Sequence, residues 1–216
     1  MPKTEGGLGI QNLSIWNETC GLKQIWMLFF HSGSVWVAWI RKAYLSSASF
    51  WSINEKSQRF SWMFQKLPRL RKKTLLFLSI DIGNGEDSFF WYDPWTPFGS
   101  LLKFVGPNEP ARLGIPTDAL VSDHISANGW ILPPLRPEEH LQLYTFISQV
   151  SPSDFSDCAI WKIDEKIQNR FKSKDVWERI QVPNQSNPTM EKRINVYLQC
   201  TLLLPVGVML SFGLEM

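Results

Sequence analysis

The segment Ile82–Gly99, "IGNGEDSFFWYDPWTPFG", joins a turn signal, Asn84-Gly85, to an aromatic cluster around one carboxylate, Asp93. We call it the aromatic segment. Three interpretations fit this combination of residues. Asp93 is a catalytic acid held between tryptophans, or the rings form a stacking surface for nucleic-acid bases, or they are the aromatic plug of an ordinary hairpin. The residues around the segment indicate which interpretation to prefer.

A β-hairpin is the local structure that these residues predict. Thr74–Ile82, "TLLFLSIDI", and Ser88–Tyr92, "SFFWY", are aliphatic and aromatic runs on either side of Asn84-Gly85. Two such runs around a short glycine-containing connection are typical of paired antiparallel strands. We therefore predict a central hairpin in which the rings fill one face.

Asp93 is the carboxylate inside this aromatic cluster. As a functional residue it would be a general acid or a metal ligand. Carboxylates in either role usually act in sets, and the neighbouring Glu86 and Asp87 flank a turn where solvent reaches them. We predict that Asp93 accepts hydrogen bonds from turn amides and binds no metal, and that Trp91 and Trp95 are buried.

Helices are predicted on both sides of the hairpin, and Asn12 or Ser14 can cap the first of them. Eight prolines from Pro94 to Pro137 predict a long irregular segment between the hairpin and the later helices. The predicted fold is α+β, mostly helical and loosely packed, with further short helices and strands. The predicted helices are residues 13–29, 35–45, 137–150 and 174–180, and a short strand is predicted at 159–163. The predicted regions are an N-terminal helical region at 1–58, a hairpin-containing region at 59–181 and a poorly ordered apolar tail at 182–216.

Composition limits the possible functions without selecting one. A net charge of +2 over 216 residues does not demand a nucleic-acid partner, and 11 tryptophans suit either a large core or a stacking surface. The three cysteines are far apart and odd in number, which argues against a disulfide framework. The N-terminus has no apolar signal sequence, so we expect a nuclear or cytoplasmic protein and not a secreted one.

No metal or cofactor site is predicted. A zinc site needs paired ligands such as CxxC or HxxxH. The cysteines and histidines show no such pairing, and Gly6-Gly7-Leu8-Gly9 suits a tight loop better than a phosphate cradle. We also expect no small-molecule substrate. Several residues at near-helical spacing are predicted to lie in the core: Trp16, Cys20, Trp26, Trp36 and Trp39.

The basic run, Lys66–Lys73, "KLPRLRKK", is the candidate nucleic-acid contact. Pro68 interrupts any helix here, and Lys66, Arg69 and Lys73 share a face if the run is helical. Cations on one face can neutralise phosphates, and neighbouring rings can stack on bases. A solvated helix face is the alternative, and the sequence leaves both open. The candidate residues are Lys66, Arg69, Arg71, Lys72, Lys73 and Trp62, with Phe64 as a second ring and Arg41 and Lys42 as lesser candidates.

Five motifs in this order resemble plant non-LTR (LINE-type) retrotransposon reverse transcriptases, between the polymerase domain and the C-terminal zinc-binding segment. The third contains the family's glycine turn and its Phe-Trp-x-Asp-x-Trp and Gly-x-Leu signature. The motifs are Pro2–Leu13, Val35–Leu45, Ile82–Leu101, Gly114–Arg136 and Trp161–Ile180. The resemblance implies structural roles for Gly6, Gly7, Gly9, Trp36, Trp39, Gly83, Gly85, Phe90, Trp91, Asp93, Trp95, Gly99, Trp130, Trp161 and Trp177.

The resemblance implies RNA-directed DNA synthesis for the parent family and no catalysis for this chain. A polymerase holds two metal ions on closely placed carboxylates, which the family supplies partly through an aromatic-x-Asp-Asp motif. This sequence contains no Asp-Asp pair, and its residues after Gln181 depart from the family's zinc-binding segment. We expect a truncated fragment of the polyprotein with at most weak, salt-dependent binding to RNA or DNA. An active polymerase or nuclease is disfavoured by the missing carboxylates.

The apolar tail supports an alternative from a different class. Residues 196–214 are uncharged and near the length of a membrane span. Pro205, Gly207 and Gly213 interrupt the run, and they favour a loosely packed tail over a membrane anchor. The alternative function is a domesticated interaction protein or a tail-anchored membrane protein without a catalytic role.

Overall fold

A computed structural model describes residues 12–30, 33–126, 129–132 and 141–181 of the chain. The described residues form a loosely packed α+β fold in which helices predominate, so the predicted fold class is confirmed. None of the described helices has the length and apolar character needed to cross a membrane. Predictions for Gly6, Gly7, Gly9 and the tail at 182–216 lie outside the described residues.

Helix α1, Leu13–Phe30, runs unbroken through Gly21. The side-chain oxygen of Asn12 caps it as predicted, because it accepts a hydrogen bond from the Ser14 amide at 3.0 Å. Glycine weakens a helix interior, but here it lets Leu70 pack against the backbone. A Cβ at Gly21 would lie 2.4 Å from Leu70 Cδ1.

Two of the predicted core residues lie on the surface instead. Val37 and Ile40, three positions apart, form the buried face of α2, Val35–Tyr44. Trp39 lies to the side of that face and is 51% exposed, and Cys20 on α1 is also exposed. Of the other tryptophans predicted to lie in the core, Trp26 is buried, and Trp16 and Trp36 are half-buried.

The basic run lies in a nearly continuous helical segment. Helix α3, Trp62–Lys66, begins after Ser61, whose hydroxyl oxygen accepts a hydrogen bond from the Phe64 amide at 3.4 Å. A 3₁₀ turn at Pro68–Leu70 follows, and helix α4, Arg71–Thr74, continues directly from it. Proline ends the first α-helix as predicted, yet it suits the first position of the next turn because no amide hydrogen is needed there.

The predicted central hairpin is wrong. Strand β1, Leu78–Asp81, pairs antiparallel with a strand far along the chain, β4, Cys158–Ile163. Residues 88–92 form no strand, and Phe89 makes only an isolated bridge to Leu120. Local pattern identified strand-forming residues, but the partner of β1 lies roughly eighty residues downstream, where a reading of nearby residues cannot find it.

Strand β4 contains the predicted strand at 159–163 and continues into β5, Lys166–Ile167, so the sheet order is β1-β4-β5. The two residues between them, Asp164 and Glu165, have φ of 48° and 63°. Positive φ at both central residues is what a two-residue hairpin turn of type I′ requires. Helix α8, Ser173–Gln181, follows and confirms the predicted C-terminal helix.

One hydrophobic core joins the N-terminal helices to this sheet and to α8. Trp161 is fully buried and stacks on Phe77, with 5.1 Å between ring centroids. The core draws residues from both sides of position 58, so residues 1–58 and 59–181 share it. Its buried members include Leu22, Ile25, Val37, Ile40, Phe64, Leu67, Phe77, Trp161 and Val176.

A second group of buried side chains surrounds the aromatic segment. The described part of the proline-rich region is largely irregular, as predicted, with short elements within it. Helix α7 lies inside the predicted helix 137–150. The elements are α5 Leu101–Val105, α6 Glu109–Leu113, β2 Ile125–Ser126, β3 Gly129–Trp130 and α7 Leu141–Gln149. The buried residues include Phe90, Trp91, Trp95, Phe98, Leu101, Ile115, Val121, Leu143 and Ile147.

Candidate nucleic-acid interface

The glycine loop of the aromatic segment surrounds a carboxylate of the same chain. Asp157 Oδ1 accepts hydrogen bonds from the amides of Gly83 at 2.8 Å and Gly85 at 2.9 Å, and Oδ2 accepts one from Asp87 at 3.3 Å. A Cβ at Gly83 would lie 2.0 Å from the Phe155 carbonyl oxygen, and Gly85 has φ +74°. The two glycines are therefore required by close contact and by backbone conformation.

The tryptophans of the aromatic segment are buried, which confirms the prediction. Trp91 is 1% exposed and Trp95 is 4% exposed. The indole N–H of Trp91 donates to the Ile115 carbonyl at 3.3 Å, and that of Trp95 donates to the Phe90 carbonyl at 3.0 Å. Trp95 also stacks on Trp130, with 5.7 Å between centroids. These rings form a core, so they offer no stacking surface to nucleic-acid bases.

Asp93 is 6% exposed and connects two distant parts of the chain. Its Oδ2 accepts the predicted local hydrogen bond from the Phe89 amide at 2.8 Å, and its Oδ1 accepts a bond from the Ser49 hydroxyl. Ser49 Oγ in turn accepts from the Trp51 amide at 3.0 Å. Burial raises the pKa of Asp93 to about 6; the two hydrogen bonds oppose the rise, and the nearby charge of Asp157 adds to it.

The surroundings of Asp93 suit a structural role. Its hydrogen-bond partner Ser49 is itself 4% exposed, so neither side chain reaches solvent where a substrate would bind. Within the described ranges, no three His, Cys, Asp or Glu side chains are grouped so that they could hold a metal ion. Asp93 fastens the aromatic segment to the chain before α3, a long-range contact that the sequence did not indicate.

The remaining signature positions lie in several environments. Trp161 is buried in the first core, Trp130 and Trp177 are half-buried, and the indole N–H of Trp130 donates to the Val150 carbonyl at 2.8 Å. Gly99 has φ +78° and closes a turn with its amide. Trp36 is half-buried and Trp39 is exposed.

The cations of the basic run lie in different environments. Lys66, Arg69 and Lys72 are exposed, and none of them forms an ion pair with another described residue. We call these three the exposed row. They are spaced by three residues, and in a 3₁₀ turn side chains three apart eclipse each other. The turn at Pro68–Leu70 therefore brings the exposed row toward one side of the helical segment.

Arg71 was predicted to contact nucleic acid, but it is buried and does not reach the surface. It is 8% exposed, its guanidinium donates to the Phe50 carbonyl at 2.6 Å, and it lies 5.3 Å from the centroid of the Phe50 ring. Burial lowers the pKa of Arg71 to about 10, with Glu55 opposing the shift, so the side chain is charged at neutral pH. Arg41 is also engaged, because it donates to the Leu28 carbonyl at 3.0 Å.

Lys73 is engaged as well, in an ion pair with Glu18 on α1. Lys73, which was predicted to share a face with Lys66 and Arg69, is therefore paired within the chain. Lys72 takes the third position, because the 3₁₀ turn changes the angular spacing that a regular α-helix would give. Lys73 instead holds the basic run against α1.

Trp62 stands next to the exposed row. It is 73% exposed, and Lys66 Nζ lies 3.7 Å from its ring centroid. Phe64, the second ring predicted to stack on bases, is 1% exposed and packs against Tyr44. Trp39 also contacts Tyr44, at 5.4 Å between centroids, and sequence reasoning missed it as a surface residue. Residues Val35–Ile40 are all apolar and fit more than one buried face, so their spacing could not place Trp39 on the surface.

No family model, curated protein or solved structure matches this chain. The candidate interface therefore rests on the chain's own residues. It consists of Trp62 and the exposed row, on one helical segment that packs against α1 through Gly21 and Lys73.

Proposed function

We propose that this chain is a non-catalytic segment of a LINE-type reverse transcriptase polyprotein that binds nucleic acid weakly through phosphate contacts. The observation that carries the binding is the exposed row, Lys66, Arg69 and Lys72, which has no ion-pair partner among the described residues. The order of motifs from Pro2 to Ile180 supports the family assignment.

We propose no catalytic role for this chain. Phosphoryl transfer by a polymerase requires carboxylates close enough to hold two metal ions. The sequence has no consecutive aspartates, and Asp93 is buried with a serine and a backbone amide as its partners. Metal-dependent primer extension by the purified chain would overturn this part of the proposal.

The dimensions of the exposed row indicate weak binding. Six residues of helical chain rise about 9–12 Å. Phosphates of one strand are spaced about 3.4 Å along a B-form axis, so the row can reach about three of them. Neutralising three phosphates gives a slope of log affinity against log salt of about −2 for a single strand and about −2.7 for a duplex.

The test is the salt dependence of binding to a labelled oligonucleotide, measured by fluorescence anisotropy from about 20 to 200 mM salt. The variant is the triple substitution Lys66→Ala, Arg69→Ala and Lys72→Ala. We expect it to abolish binding and salt dependence together. The three side chains form no hydrogen bond or ion pair with another described residue, so circular dichroism should show an unchanged fold.

A matched control removes the same charges elsewhere. Lys103, Lys166 and Arg170 are exposed, and their triple replacement by Ala lowers the net charge from +2 to −1, as the test variant does. Binding should persist with the same slope, because the row is intact. No binding to any oligonucleotide at low salt, or equal loss in both triple variants, would contradict a phosphate site at the row.

The alternative function depends on the tail at 182–216, which lies outside the described residues. A domesticated interaction protein or a tail-anchored membrane protein is not favoured by any feature of the described chain. A fluorescent fusion that reaches membranes only when residues 196–216 are present would favour this alternative over the proposal.

A further inference from the structure

We infer that Trp62 is a stacking site for one unpaired base, so that the nucleic acid bound at the exposed row is single-stranded. This inference rests on the proposed function and adds the form of the ligand to it. The carrying observation is the combination of an exposed indole and an ammonium group on the same helical segment.

The setting of Trp62 differs from that of the other tryptophans described. It is 73% exposed, more than Trp39 at 51%, and Trp91 and Trp161 are buried. A single exposed apolar residue is normal on a protein surface, so the cation beside the ring is what distinguishes Trp62 from the exposed Phe155. Lys66 Nζ lies over one face of the indole at 3.7 Å from the centroid, and a cation in that position is attracted to the ring.

The Lys66 ammonium covers one face of the Trp62 indole. The opposite, free face makes no ring contact with another described residue, and Trp62 is 73% exposed. A base that stacks on the free face would place its own phosphate near the cations that follow along the helix. Trp62 and Lys66 are four residues apart, which puts them on the same side of α3. One segment thus offers a ring for a base and charges for its backbone.

Charge favours a nucleic acid over an apolar protein surface at this site. An apolar partner that covered Trp62 would also take the Lys66 ammonium out of water, and burying an unpaired charge is costly. A polyanion removes that cost because its phosphates pair with the same ammonium and with Arg69 and Lys72. The partner that fits is therefore anionic and presents flat aromatic groups.

An unpaired strand meets both requirements, and a duplex meets only one. Bases inside a duplex are already stacked on both faces, so an indole reaches them only after unstacking. Every base has an aromatic face, so stacking on one ring tolerates all sequences. We therefore expect RNA and DNA single strands to bind alike, and duplexes to bind through the exposed row alone.

The experiment compares three labelled probes on the full chain at low salt: an oligo(dT) of about ten nucleotides, the matching oligo(U), and a hairpin duplex. The variants are Trp62→Leu, which keeps an apolar surface without a ring, and Trp62→Phe, which keeps a ring. We expect Trp62→Leu to weaken binding of both single strands about 5- to 150-fold and to leave the duplex unchanged. Trp62→Phe should restore most of the affinity.

Phe155→Leu is the matched control, because Phe155 is an exposed ring, at 80%, outside the basic run. It should leave all three affinities unchanged. Equal binding of single strand and duplex, or no effect of Trp62→Leu on the single strands, would overturn the inference. So would a change in self-association on Trp62→Leu without a change in oligonucleotide binding, since the ring would then be a protein contact.

These outcomes separate the inference from the proposed function. If Trp62→Leu has no effect while the triple replacement of the exposed row abolishes binding, stacking is wrong and the phosphate site stands. If no probe binds the unsubstituted chain at low salt, both the stacking site and the phosphate site are wrong.

Discussion

The basic run and the aromatic segment are neighbours in sequence, and the fold treats them in opposite ways. In the basic run, five like-charged residues spread apart: three face solvent, Arg71 is buried and Lys73 pairs with α1. In the aromatic segment, residues of unlike chemistry converge, because its glycines, rings and carboxylate all form contacts inside the protein.

Geometry explains the difference. Successive residues of a helical segment point in different directions, so a cluster of charges in the sequence is not a cluster on the surface. The aromatic segment has almost no regular structure, and its backbone groups form hydrogen bonds with distant segments at residues 119–122 and 153–157. The number of charges in the basic run therefore overestimates the number available to a ligand. The glycines and rings of the aromatic segment instead identify a place where distant parts of the chain meet.

The largest expected effect comes from one substitution made in both regions. Trp91→Ala should lower the free energy of unfolding by about 3–5 kcal/mol, because it leaves a cavity in the second core. Trp62→Ala should change it by less than about 0.5 kcal/mol, because the ring is mostly in solvent. Urea denaturation measures both. Similar losses in the two variants would contradict the difference in burial between Trp91 and Trp62.

Titration of Asp93 provides a second test. The pKa of this carboxyl rises from 3.8 to about 6 on folding, so the folded state binds more protons between those values. The stability contributed by Asp93 is therefore lost as the pH rises from about 4 to about 6. Asp93→Asn abolishes this titration. The free energy of unfolding of the variant, relative to that of the unsubstituted chain, should therefore increase by about 2–3 kcal/mol between pH 4 and pH 7.

The control for this titration is Asp81→Asn, which removes an exposed carboxylate from β1. Its stability relative to the parent should stay nearly constant over the same pH series. If the relative stability of Asp93→Asn is equally constant with pH, Asp93 is not held in the buried environment described.

A smaller effect is expected from adding one methyl group to the glycine loop. Gly83→Ala should destabilise the fold by about 1–3 kcal/mol, since the new Cβ must displace the Phe155 backbone. Gly33→Ala is the matched change, because nothing lies within 4 Å of its Cβ position. Thermal unfolding of the two variants distinguishes a tight junction from an ordinary loop, and equal midpoints would show that the loop can move aside.

The smallest expected effect separates two arginines of the basic run. Arg71→Ala should lower stability by about 1–2 kcal/mol, because the Phe50 carbonyl loses its buried donor. Arg69→Ala should be within about 0.5 kcal/mol of the parent and should instead reduce the salt slope of oligonucleotide binding. If Arg71→Ala reduces the slope without loss of stability, Arg71 belongs to the binding surface after all.

Sequence reasoning predicted features that depend on nearby residues. The cap of α1, the approximate extents of α1 and α8, the burial of Trp91 and Trp95 and the helix end at Pro68 all follow from local chemistry. The pairing of β1 with β4 and the bond from Ser49 to Asp93 could not be predicted, because they join residues 44 or more positions apart. Burial of Arg71 was also missed, because its acceptor, the Phe50 carbonyl, lies 21 residues earlier in the chain.

The pairing of β1 with β4 also sets an order of events on the ribosome. Strand β4 follows β1 by roughly eighty residues, so at about 5–20 residues per second it emerges about 4–16 s later. During that interval the edge of β1 lacks its partner strand β4, and the amides of the glycine loop lack their acceptor, the Asp157 carboxylate. A nascent chain of this protein must stay free of other exposed strand edges for several seconds before its sheet can close.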